Sequence, residues 1–171
     1  ATASGHGGTA LGVSALAEGA DAFAGGTNAS AAGAGAIAIG SAVFEPTTDA
    51  DGNDTFTQLE DASSASGKHA VALGTASTAS ADNSVALGYG SQAIEAETVS
   101  FGRAFDDGGT PGDTSDDTAA ITRRLVNVAD GVADSDAATV GQLNTAVASV
   151  DAISAELAYF EVNSTGNVAD A

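Results

Sequence analysis

The sequence predicts a mainly β fold: a narrow parallel β-roll built from fourteen-residue coils, followed by an α-helical coiled coil. Two observations predict the roll and a third the helix. Glycine recurs at a step of fourteen, at Gly12, Gly26 and Gly40 and again at Gly74, Gly88 and Gly102. A short small or apolar run precedes each one: Thr9-Ala10-Leu11, Phe23-Ala24-Gly25, Ile37-Ala38-Ile39, Val71-Ala72-Leu73, Val85-Ala86-Leu87 and Val99-Ser100-Phe101. Beyond residue 139 the apolar positions change to heptad spacing. A fixed period of this kind marks a stacked solenoid in which each coil buries its neighbours.

Within one coil, Val85 and Leu87 alternate with Ala86, so the first two share one strand face and the alanine takes the other. Small residues recur five positions after the motif glycines, at Ala17, Ala31, Ala79 and Ala93. Each coil therefore reads as two short strands joined by two tight turns, with successive coils about 4.8 Å apart. Stacked Val and Leu side chains would each contribute roughly 1.5–3 kcal/mol if fully buried. A roll this thin has little interior, so its second apolar face calls for partner chains.

Composition agrees. The 171 residues are 43% apolar, mostly Ala and Val, but only 5% aromatic, with no Trp, Met or Cys. Such side chains fill a thin core, and 22 glycines against two prolines suit many tight turns. Four basic against 23 acidic residues give a net charge of −19, which repels phosphate backbones and excludes nucleic acid as a partner. Without cysteine there is neither a disulfide framework nor thiol chemistry. No apolar run approaches the roughly 20 residues of a membrane span and no signal peptide opens the chain, so a signal or membrane anchor is expected outside this segment.

The roll is expected over residues 1–104. The step from Gly40 to Gly74 exceeds one period by 20 residues, which places an insertion at 44–63, turn-rich through Pro46, Asp49, Asp51, Gly52, Asn53 and Asp54. Residues 105–120, with Asp106, Asp107, Asp113, Asp116 and Asp117, read as an acidic linker or surface loop. Residues 121–139 form a junction: a β-prone run Ile121–Val128, a turn at Ala129-Asp130-Gly131, and N-cap candidates in Asp134-Ser135-Asp136. The coiled-coil helix is expected over 140–160, with Val140, Leu143, Val147 and Val150 at a/d positions and Ile153, Leu157 and Phe160 following after a one-step shift. Such a helix is weak alone and stable as a multi-stranded bundle. Residues 161–171 read as a connector.

Repeat, junction and heptads in this order resemble the trimeric autotransporter adhesins, the YadA-like surface proteins of Gram-negative bacteria. Ala70-Val71-Ala72-Leu73-Gly74 and Ser84-Val85-Ala86-Leu87-Gly88 are similar to that family's head motif. Ile121 to Asn144 is similar to its neck, especially Asn127-Val128-Ala129, Gly131, Asp134, Asp136-Ala137, Val140, Gln142 and Leu143. The resemblance implies a left-handed roll, a homotrimer, and a neck at 121–139 where the chains cross into the stalk. It also implies a position on the bacterial cell surface, anchored in the outer membrane through a region outside this chain. Tyr159–Ser164 is similar to a segment leading from a stalk into another head. The 20-residue insertion, the acidic linker and Gly25, where a larger apolar residue is usual, depart from the family's pattern.

Candidate sites are few. Asp49, Asp51, Asn53 and Glu60 stand at positions 1, 3, 5 and 12 of an EF-hand-like spacing, and hard oxygen donors so spaced can wrap Ca²⁺. Glycine precedes the required sixth position and no entering helix is evident, so an Asx-rich solvated turn competes with that reading. Arg123 and Arg124 are expected to form inter-chain ion pairs in the neck, as in the family. His6 and His69 lie in coil turns without the company a catalytic site requires. The expected function is non-enzymatic adhesion to extracellular matrix, a surface or a cell-surface receptor, with Phe44–Ser63 as the leading binding segment. A structural filament or phage tail fibre is the alternative on the same fold. A left-handed β-helix acyltransferase repeats every six residues and an RTX roll every nine, neither of which matches.

Overall fold

A computed structural model describes residues 1–49, 51–110 and 112–165, with side chains described to residue 157. It divides into two compact units, 1–123 and 124–171.

The first unit is a two-sheet solenoid. Strands β1 (Thr2–Ala3), β3 (Leu16–Ala17), β5 (Ser30–Ala31), β9 (Ser64–Ala65), β11 (Thr78–Ala79) and β13 (Gln92–Ala93) stack in that order in one sheet. The opposite sheet holds β2 (Thr9–Leu11), β4 (Phe23–Gly25), β6 (Ile37–Ile39), β10 (Val71–Leu73), β12 (Val85–Leu87) and β14 (Val99–Ser100). All neighbours in these two sheets are parallel and in register, as in Val71↔Val85 and Ala72↔Ala86.

Only alanine and serine face the interior. Ala17, Ala31, Ala65 and Ala79 from one sheet meet Ala24, Ala38, Ala72 and Ala86 from the other, all fully buried. The expected columns of buried Val and Leu are therefore corrected: those side chains point outward, and Leu11 is 68% exposed. The interior holds nothing larger than a methyl or hydroxymethyl group. Each methyl contributes about 0.8 kcal/mol, so the coil-to-coil backbone hydrogen bonds carry a comparable share. Thr9 N donates to Ala22 O at 2.8 Å and Val71 N to Ser84 O at 2.8 Å. Where serine replaces alanine its hydroxyl bonds a turn carbonyl: Ser77 Oγ to Gly74 O at 2.6 Å, Ser84 Oγ to Ala81 O at 2.7 Å.

Glycine serves two purposes in the coils. Gly12, Gly26, Gly40, Gly74 and Gly88 have positive φ, which favours glycine. A second column, Gly5, Gly19, Gly33 and Gly67, allows close approach: a Cβ on Gly33 would lie 1.9 Å from Gly67 O. Gly25 is explained by its neighbour. An added Cβ there would sit 2.9 Å from Cε1 of Phe23, so the Phe23 ring covers the place a larger residue would fill.

The insertion leaves the stack intact, because β5 pairs directly with β9 and β6 with β10. It is a β-hairpin, β7 (Val43–Thr48) and β8 (Asp54–Glu60), antiparallel with a bulge at Val43/Phe44. The turn-rich composition belongs only to its tip. Of the two readings of the acidic segment, the surface loop fits: the chain leaves the last coil and returns, with antiparallel bridges Arg103↔Ile121 and Asp106↔Thr118.

In the second unit, helix α1 (Val140–Thr165) is 26 residues long. It reaches past residue 160 into the segment read as a connector; residues 166–171 and the side chain of Phe160 lie outside the described residues. Thr139 is the N-cap, not the Asp134–Asp136 group. Gln142 N donates to Thr139 Oγ1 at 3.2 Å and Thr139 N to Gln142 Oε1 at 3.1 Å, a reciprocal capping box.

Candidate functional site

Side-chain chemistry is sorted around each coil. The strands of the two stacked sheets carry no charged residue. Glu18, Asp21, Lys68, Asp82, Glu95 and Glu97 all fall in the turns leading from the first sheet to the second. The outward face of the second sheet is apolar, with Leu11, Ile37, Ile39, Leu87 and Val99 all exposed. The outward column of the first is Thr2, Leu16, Ser30, Ser64, Thr78 and Gln92.

The second unit repeats this division on a helix. Val140, Leu143, Val147, Val150, Ile153 and Leu157 are between 50 and 72% exposed. These a/d-spaced residues thus form an unpartnered apolar stripe. The turn before the helix is fixed by polar contacts. Gln142 Nε2 donates to Gly131 O at 2.8 Å, and Gly131 N donates to Gln142 Oε1 at 2.9 Å. Asp136 Oδ2 accepts from Val132 N at 2.9 Å and Ala133 N at 3.0 Å. Asn127 has φ +59°, a left-handed bend that asparagine tolerates better than most side chains. Leu125, Val128 and Val140 line a shallow apolar pocket of about 390 Å³ beside it.

The backbone donors of Ala133 and then Val132 hold the Asp136 carboxyl below its ordinary value of 3.8. A depressed folded-state pKa contributes stability that is present above the unfolded value and lost as pH falls through the folded one. The Val132 and Ala133 amide resonances are therefore expected to shift with a midpoint below the ordinary carboxyl value of 3.8. A midpoint above that value would refute the role of Asp136 in holding this turn.

Within the chain, Arg123 bonds to the roll. It lies in the first unit and donates to neutral oxygens of the last coil: Ser91 Oγ at 3.0 Å, Tyr89 O at 2.6 Å and Phe101 O. Three such bonds close the end of the roll, where a solenoid otherwise presents unpaired backbone groups. Arg124 begins the second unit.

The four residues of the expected calcium spacing are divided between two ends of the hairpin. Asp49 Oδ1 accepts from Asn53 N at 2.8 Å and Asp51 N at 3.0 Å, while Asn53 Nδ2 donates to Asp49 Oδ2 at 3.1 Å. Asp49 thus caps the turn, and Asn53 backbone and side-chain donation lower its pKa. Glu60 is paired with Val43 at the other end of β8, six residues or about 20 Å from Asp54 in an extended strand. Its carboxylate lies near the Tyr89 hydroxyl and raises the tyrosine pKa.

Two clefts flank the hairpin. One, about 570 Å³, lies between Phe44 and Phe56 and the coil turns at Val13, Thr27 and Asn28. The other, about 360 Å³, is polar and joins the hairpin base to Thr78, Gln92 and Arg103. Tyr89 and Arg103 were not singled out from the sequence, since they resemble ordinary turn and linker residues.

Comparison with known families agrees with this geometry. The YadA head domain repeat matches residues 3–29, 26–42 and 65–91, and the coiled stalk of trimeric autotransporter adhesin matches 124–166. The chain belongs to the trimeric autotransporter adhesin family. A comparison with curated proteins returned no match. The head matches stop at Ala42 and resume at Ala65, so the hairpin of this adhesin lies outside them. Membership implies exposure at the cell surface, and the stalk family is trimeric, which supports a homotrimer.

Proposed function

We propose that this chain is a non-enzymatic segment of a homotrimeric bacterial surface fibre that mediates adhesion. Its roll would be left-handed and α1 would form a three-stranded coiled coil. The observation that carries the reading is the uncharged apolar face present on both units and unpartnered in a single chain. A chain of net charge −19 can approach copies of itself only along surfaces free of charge, since like charges repel over a Debye length of about 10 Å at 0.1 M salt. Adhesion would use the hairpin and the 103–121 excursion, which depart from the repeat, and three copies along a fibre give avidity from weak sites. Anchoring in the outer membrane would come from sequence outside this segment.

Multi-angle light scattering of the purified segment at 0.15 and 1 M NaCl tests the assembly. A trimer is expected, with a melting temperature that rises with salt as repulsion is screened. A stable monomer at both salt concentrations would refute it.

A further inference from the structure

We propose that the polar cleft between the hairpin base and the last coils is a binding site for a neutral saccharide. Both departures from the fourteen-residue repeat meet there, although they are distant in sequence. The base of the hairpin supplies Gln58, Glu60 and Asp61, the outward column of the first sheet supplies Thr78 and Gln92, and the second excursion supplies Arg103. The cleft, about 360 Å³, lies in the lower range of small-ligand sites.

The chemistry selects the ligand class. Two carboxylates accept, a guanidinium donates, and two amides and a hydroxyl do both. Sugar hydroxyls require this mixture, because each donates one hydrogen bond and accepts others. A phosphate or sulfate would meet Glu60 and Asp61 at close range and be repelled. A metal ion would meet Arg103, and no group of three or more candidate metal ligands occurs among the described residues. Apolar ligands would leave the polar walls unpaired, which costs more than the contact returns.

Three of the side chains already have partners within the chain. Gln58 Nε2 donates to Asp61 Oδ1 at 2.8 Å, and Arg103 Nε donates to Ala119 O at 3.0 Å. For these three, less rotamer freedom remains to be lost on binding.

The site deepens the adhesion reading and rests on it for its biological setting, although the cleft itself is complete within one chain. Saturation-transfer NMR on the full chain with lactose, maltose and N,N′-diacetylchitobiose tests it, with sialyllactose as the anionic comparator. At least one neutral sugar is expected to bind in preference to sialyllactose, with Kd on the order of 1 mM per site. Gln92→Ala should weaken it, and Gln92→Ala with Thr78→Val should weaken it roughly tenfold, while Ser30→Ala, elsewhere in the same column, should leave it unchanged. No transfer to any neutral sugar at about 50 mM, equal binding by the double variant, or preference for sialyllactose would each overturn the proposal. Light scattering on the same sample separates the two readings. A trimer that binds no saccharide refutes this site alone, and a monomer that binds one refutes the trimer alone.

Discussion

Leu143→Asp is expected to break the three-stranded stalk and leave α1 largely unfolded. Leu143 is 59% exposed in the single chain and follows Val140 at the d position of the first heptad. In a three-stranded coil all three copies meet in one layer, and each leucine contributes about 2 kcal/mol by burial. The substitution removes that contribution and brings three carboxylates together in a dry seam, where an uncompensated charge costs several kcal/mol more. The helix has little to offset this, since most helical stability in proteins comes from packing of an apolar face and not from propensity. Circular dichroism should show loss of helix, and light scattering should show monomers or an associated state held by the roll alone. Thr145→Asp, at the f position, should change neither. A Leu143→Asp protein that remains a trimer with unaltered helix content would show that the stripe is not the seam.

The architecture was legible because a solenoid writes one local rule many times. The glycine step, the alternation around Ala72 and Ala86, and the heptads from Val140 each state a backbone geometry that neighbours confirm. Other features were legible but were read less fully. Gly5, Gly19, Gly33 and Gly67 form a column as regular as the first, and Thr139 with Gln142 spells a capping box three residues apart. The direction of the apolar side chains was not fixed by alternation alone. Val85 and Leu87 are the larger residues and hydrophobicity favours burying them, whereas Ala86 is the one that faces the interior. The binding cleft was hidden for a different reason. Glu60, Gln92 and Arg103 come together only because the insertion folds as a hairpin and the second excursion returns to the roll. Spacing along the chain carries no trace of that, and the calcium spacing proved to be broken by the same strand that positions Glu60.

Gly33→Ala is expected to disrupt the roll at its middle, by about 3 kcal/mol where overpacking is severe. In most settings glycine-to-alanine stabilises by roughly 0.4–1 kcal/mol, because it restricts the unfolded chain. Here φ at Gly33 is not in the left-handed region, so the backbone conformation raises no objection. The obstacle is space: the new Cβ would lie 1.9 Å from Gly67 O and 2.5 Å from its carbonyl carbon. Those are backbone atoms, which cannot rotate away. Relief requires the coils to separate, at the expense of the hydrogen bonds from Ala32 N and Gly33 N to Ala65 O, now 2.9 and 3.3 Å. The column itself shows this trend. Where it carries Ala81 in place of glycine, the equivalent bond to Ala93 O lengthens to 3.5 Å. Because each coil touches only its neighbours, hydrogen exchange should report the damage locally, with protection lost first at Ser30–Ile39 and Ser64–Leu73. The hairpin enters between those coils, so its base should loosen with them. Gly52→Ala is the control: its Cβ meets nothing within 4 Å, and only the φ of +83° opposes it. Equal melting temperatures for Gly33→Ala and the parent would show that the coils are not held at the separation on which the whole stack depends.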